Sequence, residues 1–292
     1  MLEEFQKVCT TPYVRGVNAQ SVEAYHAALR KGGLTVSKCK GKQGLSERTI
    51  ANKQDRLRSF FRFLKLDTKW MPGKPKYEQK KPDAYSPSQL AAIRQAAEPY
   101  MRLVIDMALQ LGLRERELMF AEWSDVSFEE RRFKVQAKPE YGFMTKDKEQ
   151  RILAAPVVLL QRLTAHRATQ SEGTRLILAT SSGKPNTHLL RTLKRLAHRA
   201  GLNCGHCQGC KPRSLKVRKH PERTIKVGEE CEQWTLHRFR RTCLTMMHRN
   251  GEFDAKSVQE FAGHSSLSTT LRYLASADHK ETQAKMNALW RD

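Results

Sequence analysis

Four side chains near the end of the chain combine into one kind of chemistry. His237 and Arg240 stand three apart in HRFR, His264 follows in GHSS, and Tyr273 lies nine residues further on in LRYL. Imidazole and guanidinium groups neutralise a phosphate as negative charge builds on it. A tyrosine hydroxyl is able to act as a covalent nucleophile. Singly, each of these is ordinarily a surface or packing residue. As a set in this order and spacing, they point to attack on a phosphate.

Gathering them requires three consecutive helix ends. Thr235 is placed to cap a helix, and Asn250-Gly251 to end it. His237 and Arg240 then share one face, while Leu236, Phe239, Cys243 and Met246 form the core stripe. A second short helix carries Val258, Phe261 and Ala262 and stops at Gly263, which leaves His264 in the turn. A third carries Tyr273 beside a buried stripe of Leu267, Leu271 and Leu274.

Charge bounds the partner. The 292 residues hold 53 Lys/Arg against 30 Asp/Glu, a net charge of +23. Such an excess speaks of partners rather than of fold. Nucleic acid comes first, because basic residues that neutralise phosphates release counterions. No apolar run approaches the ~20 residues of a membrane span, and MLEEFQKVCT does not read as a secretory leader. The protein is therefore expected in the cytoplasm, at the nucleoid. Seven cysteines in that setting suggest thiols or metal rather than disulfides.

Residues 1–82 are the most basic part, with 18 Lys/Arg against 7 Asp/Glu. Ser21–Leu29 reads as a short helix. Ser46–Lys65 reads as a better one, with Ile50, Leu57, Phe60, Phe61 and Leu64 as its stripe. Lys53, Arg56, Arg58 and Arg62 occupy its remaining surface and are expected to contact the DNA backbone. Trp70–Pro82, rich in Pro, Gly and Lys, reads as a linker. Ser86, Pro87 and Gln89 form a capping-box pattern, and a helix at about Tyr100–Leu111 ends at Gly112. Phe133 and Val135 alternate with polar residues, and Arg151–Pro156 is a second extended run. Val157–His166 and Leu189–Ala200 read as helices, the second with Leu189, Leu190, Leu193 and Leu196 inward. About Ala277–Trp290 the chain is amphipathic again.

Cys204, Cys207 and Cys210 form CxxCxxC, and Cys231 returns about twenty residues later. Four thiolates suit a structural, tetrahedral zinc site. His206 or His220 are possible substitutes for one sulfur; free thiols on a loop, or an iron–sulfur cluster, are the alternatives. The segment between them reads as a basic loop (Lys211, Arg213, Lys216, Arg218, Lys219, Arg223, Lys226) able to touch DNA.

HRFRR, GHSSLSTTLRY and the upstream LGLRERELMFAEWSDV together resemble the catalytic boxes of the tyrosine recombinases, the phage-integrase family, over roughly residues 84–280. The resemblance implies a mainly α fold with a small antiparallel β-sheet, arranged as a two-domain C-shaped clamp. It implies a helical core-binding domain (1–70), a basic linker (71–83) and a catalytic domain (84–292) with the cysteine insert 204–231. It implies site-specific cleavage and rejoining of double-stranded DNA by a homo-tetramer on paired sites, through a 3′-phosphotyrosyl intermediate, with no cofactor for catalysis. Tyr273 would be the nucleophile, Arg114 and Arg240 the phosphate-binding arginines, with His264 supporting the phosphate. His237 would move the nucleophile's proton, and Lys146 in the sheet hairpin would protonate the leaving oxygen, with Lys138 and Lys148 as alternatives. Glu117 fits an orienting partner, and Arg116 falls where the family varies. The box often reads HxLRH; Phe239 and Arg241 depart from it here. A type IB topoisomerase and a non-catalytic DNA-binding protein are the rival readings. The DNA site and the mobile or chromosomal element served are left open.

Overall fold

The computed structural model describes residues 1–32, 34, 44–78, 83–145, 150–211, 213–217, 220–227 and 230–274; for 213–217, 220–227 and 272–274 it describes the backbone alone. The chain divides into two compact units, Met1–Lys80 and Lys81–Asp292.

The first unit is helical: α1 (Leu2–Gln6), α2 (Ala19–Lys31) and α3 (Glu47–Phe63). Asn18 and Ser46 cap α2 and α3 through their side-chain oxygens, each cap contributing ~1 kcal/mol. Val22, Tyr25 and Leu29 of α2 meet Ile50, Leu57 and Phe61 of α3, all buried. Full burial of such a side chain contributes ~1.5–3 kcal/mol. Helix α2 is longer than the sequence suggests, and Leu64, expected inside, is 39% exposed because the helix ends before it. Trp70 packs on Phe61 and Met71 is buried, so these two residues belong to the helical core.

In the second unit, α4 (Pro87–Ala96) starts with the capping box of Ser86 and Gln89. Helix α5 (Pro99–Gln110) is buried along most of its length and packs on both α7 (Val157–Arg167) and α9 (Leu236–Arg249). Between them come α6 (Glu115–Met119) and an antiparallel sheet in the order β1 (Val126–Ser127), β2 (Arg132–Val135), β3 (Arg151–Ala154). Phe133 and Val135 turn inward, as the alternation indicates, and Phe133 pairs with buried Leu153. Helix α8 (Leu189–Arg199) buries Leu189, Leu193 and Leu196. Helices α10 (Ala255–Ala262) and α11 (Leu267–Leu274) pack on each other and on α9.

Three further expectations need correction. The basic insert is no loop: Arg213–Val217 and His220–Val227 pair as an antiparallel hairpin, β4 and β5. Met246 is 53% exposed, so the buried stripe of α9 does not reach it, while Arg240 and Leu244 are buried instead. Leu267 and Leu271 of α11 are 42% and 46% exposed, because the helix turns Thr270 inward instead. The amphipathic segment at about 277–290 lies outside the described residues.

Candidate active site

Helix α9 begins on a rigid footing. Thr235 Oγ1 accepts from the Arg238 N–H at 3.2 Å, and the Thr235 N–H donates to the Tyr85 hydroxyl at 2.9 Å. Tyr85 in turn stacks on buried Trp234 with ring centres 4.5 Å apart, and Arg238 lies 4.4 Å from the centre of the Tyr85 ring. Arg238 also binds Asp83 at 2.6 Å and the Ala84 carbonyl at 3.0 Å. The first turn of α9, which carries His237, is therefore clamped in place, and Arg240 follows one turn later. His237 is exposed.

Arg240 is enclosed, 1% exposed. Its Nη1 donates to the Gly112 carbonyl at 2.6 Å, and its Nη2 to the Ala262 carbonyl and to His264 Nε2, the latter at 3.3 Å. A guanidinium only donates, so Nε2 of His264 accepts. The proton then sits on Nδ1, which meets Thr270 Oγ1 at 2.9 Å. The His264 carbonyl is held by Gln259 at 2.9 Å.

Arg114 approaches the same turn from the other side. It stands just before α6, its Nη2 donating to the Gly263 carbonyl at 3.3 Å. Its Nη1 and its backbone N–H both donate to Glu117 at 2.8 Å. Glu117 is also bound by Arg151, Nη1 to Oε1 at 2.9 Å and Nη2 to Oε2 at 2.6 Å. Burial alone would raise the Glu117 pKa; hydrogen bonding and charge from Arg151, then Arg114, outweigh it and hold the carboxyl at about 2. Two guanidiniums, Arg114 and Arg151, thus share one carboxylate, and a third, Arg240, reaches the same turn, an excess of positive charge suited to an anion.

The structure brings Arg114, Arg240 and His264 together on residues 262–264. Tyr273 lies on α11, the next helix, which packs on both α9 and α10; its side chain is outside those described. Lys146 and Lys148 lie outside the described residues. Lys138 is committed elsewhere: it is 5% exposed and bonds Glu122 at 2.6 Å and Asp125 at 2.8 Å, a fully occupied structural lysine. Arg116 donates to the Gly142 carbonyl at 2.9 Å and leans on Phe120 and Phe143. Arg151 and Thr270 escape sequence reading, since each acts through a contact that no local spacing encodes.

On α3 the four basic residues differ. Lys53 pairs with Glu4 at 2.5 Å and Arg58 with Asp55 at 3.5 Å. Arg56 and Arg62 are exposed.

In the insert, the sulfurs of Cys204, Cys207, Cys210 and Cys231 all lie within 4.8 Å of one another. Three of the separations are 3.4 Å (Cys207–Cys210), 3.7 Å (Cys204–Cys210) and 4.0 Å (Cys207–Cys231). A tetrahedron with zinc–sulfur arms of ~2.3 Å has edges of about 3.8 Å, so the four sulfurs fit that ion. They are far outside the ~2.05 Å of a disulfide. Gly209 makes the knuckle possible: a Cβ there would stand 1.9 Å from the Glu230 carbonyl oxygen. The Glu232 N–H, 3.3 Å from Cys207 Sγ, holds that thiol down at about 6, whereas burial pushes Cys210 up to about 12. His206 is bonded to the Cys204 carbonyl and is not among the four ligands.

Comparison with known proteins places this arrangement. The chain is 26% identical over 253 residues to the tyrosine recombinase of Pseudothermotoga lettingae, covering 84% of this chain and 76% of that one. Its fold matches the Tn1549 transposon integrase solved with transposon right-end DNA (TM-score 0.64, 18% identity, 96% of this chain and 88% of that one). It also matches the XerH recombinase on its difH substrate (TM-score 0.65, 16% identity, 99% and 77%). A mostly helical unit with a small antiparallel sheet is the fold shared with these recombinases. The chain belongs to the phage integrase family, whose model matches residues 85–280. It is a site-specific DNA recombinase of the tyrosine class. Among the described residues, no helix is long and apolar enough to cross a membrane.

Proposed function

We propose that Tyr273 attacks a DNA backbone phosphate held by Arg114 and Arg240, and that six residues of this chain carry the reaction. The observation behind this is the meeting of Arg114, Arg240 and His264 on the turn 262–264. A phosphate entering there takes over donors now spent on backbone carbonyls. The Tyr273 oxygen bonds to phosphorus as the bond to the 5′ oxygen breaks, leaving a 3′-phosphotyrosyl link and a free 5′-hydroxyl. His237 receives the phenol proton, Lys146 gives one to the departing 5′ oxygen, and His264, protonated at Nε2 once Arg240 turns from it to the phosphate, donates to a non-bridging oxygen. The phosphotyrosine conserves the energy of the phosphodiester, so attack by a 5′-hydroxyl reseals DNA without ATP or a catalytic metal.

Two rounds within a homo-tetramer on paired sites, through a four-way junction, complete an exchange between duplexes. The helical unit acts as a core-binding domain. With Lys53 and Arg58 engaged by carboxylates, Arg56 and Arg62 are the better placed for phosphates. The two domains close on the duplex as a clamp, with the part of 71–83 beyond buried Met71 as linker, at the nucleoid. Structural zinc on Cys204, Cys207, Cys210 and Cys231 would fasten the β4–β5 hairpin beside the entry to α9. The match to a transposon integrase supports a mobile element as the setting.

The test is a nicked suicide substrate carrying the DNA site that the protein protects. Wild type should accumulate a covalent adduct, and Tyr273→Phe should form none. Intact DNA with both proteins would reduce the reading to DNA binding alone.

A further inference from the structure

One charged side chain at the turn has no part in that chemistry. Arg151 opens β3, five residues after Lys146, so it sits at the exit of the hairpin that bears the lysine. It is joined to Glu117 by two parallel hydrogen bonds, and both partners are nearly closed to solvent, at 11% and 2% side-chain exposure. It also lies against the backbone of the phosphate turn. A Cβ on Gly263 would stand 3.1 Å from Arg151 Cδ and 3.7 Å from its Nη1. The Gly263 φ of +60° favours glycine besides.

We propose that Arg151 is a positioning residue for Arg114, fixing through Glu117 the guanidinium that grips the scissile phosphate and tying it to the base of the lysine hairpin. This rests on the phosphate role given to Arg114 above. The geometry behind it is a closed chain of contacts. Arg151 takes one face of the Glu117 carboxylate with a fork that defines its plane. The carboxylate in turn accepts from both the side chain and the backbone of Arg114. With its carboxylate fixed in plane, Arg114 Nη1 is fixed in direction, and Nη2 is left toward the turn at Gly263. Without the fork, Glu117 would be free to rotate and carry Arg114 with it.

Arg151 thus spends both of its terminal nitrogens on Glu117. Strand β3, Glu117, Arg114 and the turn at Gly263 are thereby joined in one chain of contacts.

The experiment compares Arg151→Gln and Arg151→Lys with wild type, as full chains, on the nicked substrate. Single-turnover adduct formation is measured with an ordinary scissile phosphate and with a neutral methylphosphonate there, alongside DNA affinity. Arg151→Gln should slow the phosphate reaction ~10–100-fold while DNA affinity changes less than ~3-fold. On methylphosphonate, which lacks the charge Arg114 holds, its defect relative to wild type should shrink to ~3-fold or less. Arg151→Lys, which keeps charge but loses the fork, should fall between; should Arg151→Gln not fold, it carries the same comparison. An equal defect on both substrates, or a variant as fast as wild type, would overturn the proposal. Arg114→Ala separates the two readings. If it cleaves the phosphate at the wild-type rate, the role of Arg114 fails. If it is crippled while Arg151→Gln is not, only the role of Arg151 fails.

Discussion

Two clusters of polar side chains flank the first turns of α9, and they are held in opposite ways. At the turn 262–264, Arg114, Arg240, Arg151 and Glu117 are held by bonds to one another or to backbone carbonyls, so the protein alone fixes them. In the insert, four sulfurs crowd within 4.8 Å with only weak thiol contacts between them. The first cluster is organised before any ligand arrives, as a site for transition-state charge must be. The second suits a cation that supplies the missing bonds, and with the zinc proposed above its order would follow that cation. The same helix thus has one neighbour that is self-sufficient and one that is conditional.

That contrast is open to attack, beginning where the effect is largest. Replacing Arg240 by Ala should lower the single-turnover rate by ~10²–10³-fold or more. It should also reduce stability, since the Gly112 and Ala262 carbonyls lose a buried donor. Arg240→Lys, a point charge without the planar fork, should recover little of the rate. Near-normal cleavage by either would show that the turn is not the phosphate site.

On the conditional side, Cys231→Ser should abolish stoichiometric zinc and lower the melting temperature by ~5 °C or more. The turn should be less affected, with residual cleavage when DNA is saturating. Stable, metal-free wild-type protein would remove the metal from the picture.

A smaller effect separates the clusters by pH. The Glu117 carboxyl is depressed from 4.5 to about 2 in the fold. Its contribution is therefore fully present above pH ~4.5 and is lost as pH falls through ~2. Glu117→Gln should remove this part of the acid dependence, read as melts between pH 4.5 and 2; an unchanged slope would deny the ion-pair cluster its electrostatic origin. Smallest of all, Arg56→Ala or Arg62→Ala should weaken DNA binding a few-fold and reduce the salt slope by ~1 each. Lys53→Ala should act instead on stability through Glu4. A loss of affinity confined to Lys53→Ala would reverse that assignment.

The two clusters also differ in how far the chain announces them. Thr235, Asn250 and Gly263 mark the ends of α9 and α10, and the Ser86–Gln89 box the start of α4, because capping is local chemistry. His237, Arg240 and His264 follow from those ends by spacing. The group of four cysteines is legible because metal ligands recur at short intervals. What the chain hides depends on distant partners. Arg151 and Glu117 are 34 positions apart, and nothing near either announces the pair. The β4–β5 hairpin is obscured by its many basic residues, which blur the period of two. For α11 the leucine spacing carries the periodicity but not the buried side, which the bond between His264 and Thr270 decides.

Everything in the catalytic reading requires that the phosphate held at this turn be attacked by the tyrosine on the following helix. The direct measurement is to trap the adduct on the nicked substrate, digest both components and find by mass which peptide carries the nucleotide. The expected result is a 3′-phosphate linked to Tyr273 in the peptide spanning α11. A nucleotide on any other residue, or a 5′ linkage, would contradict it.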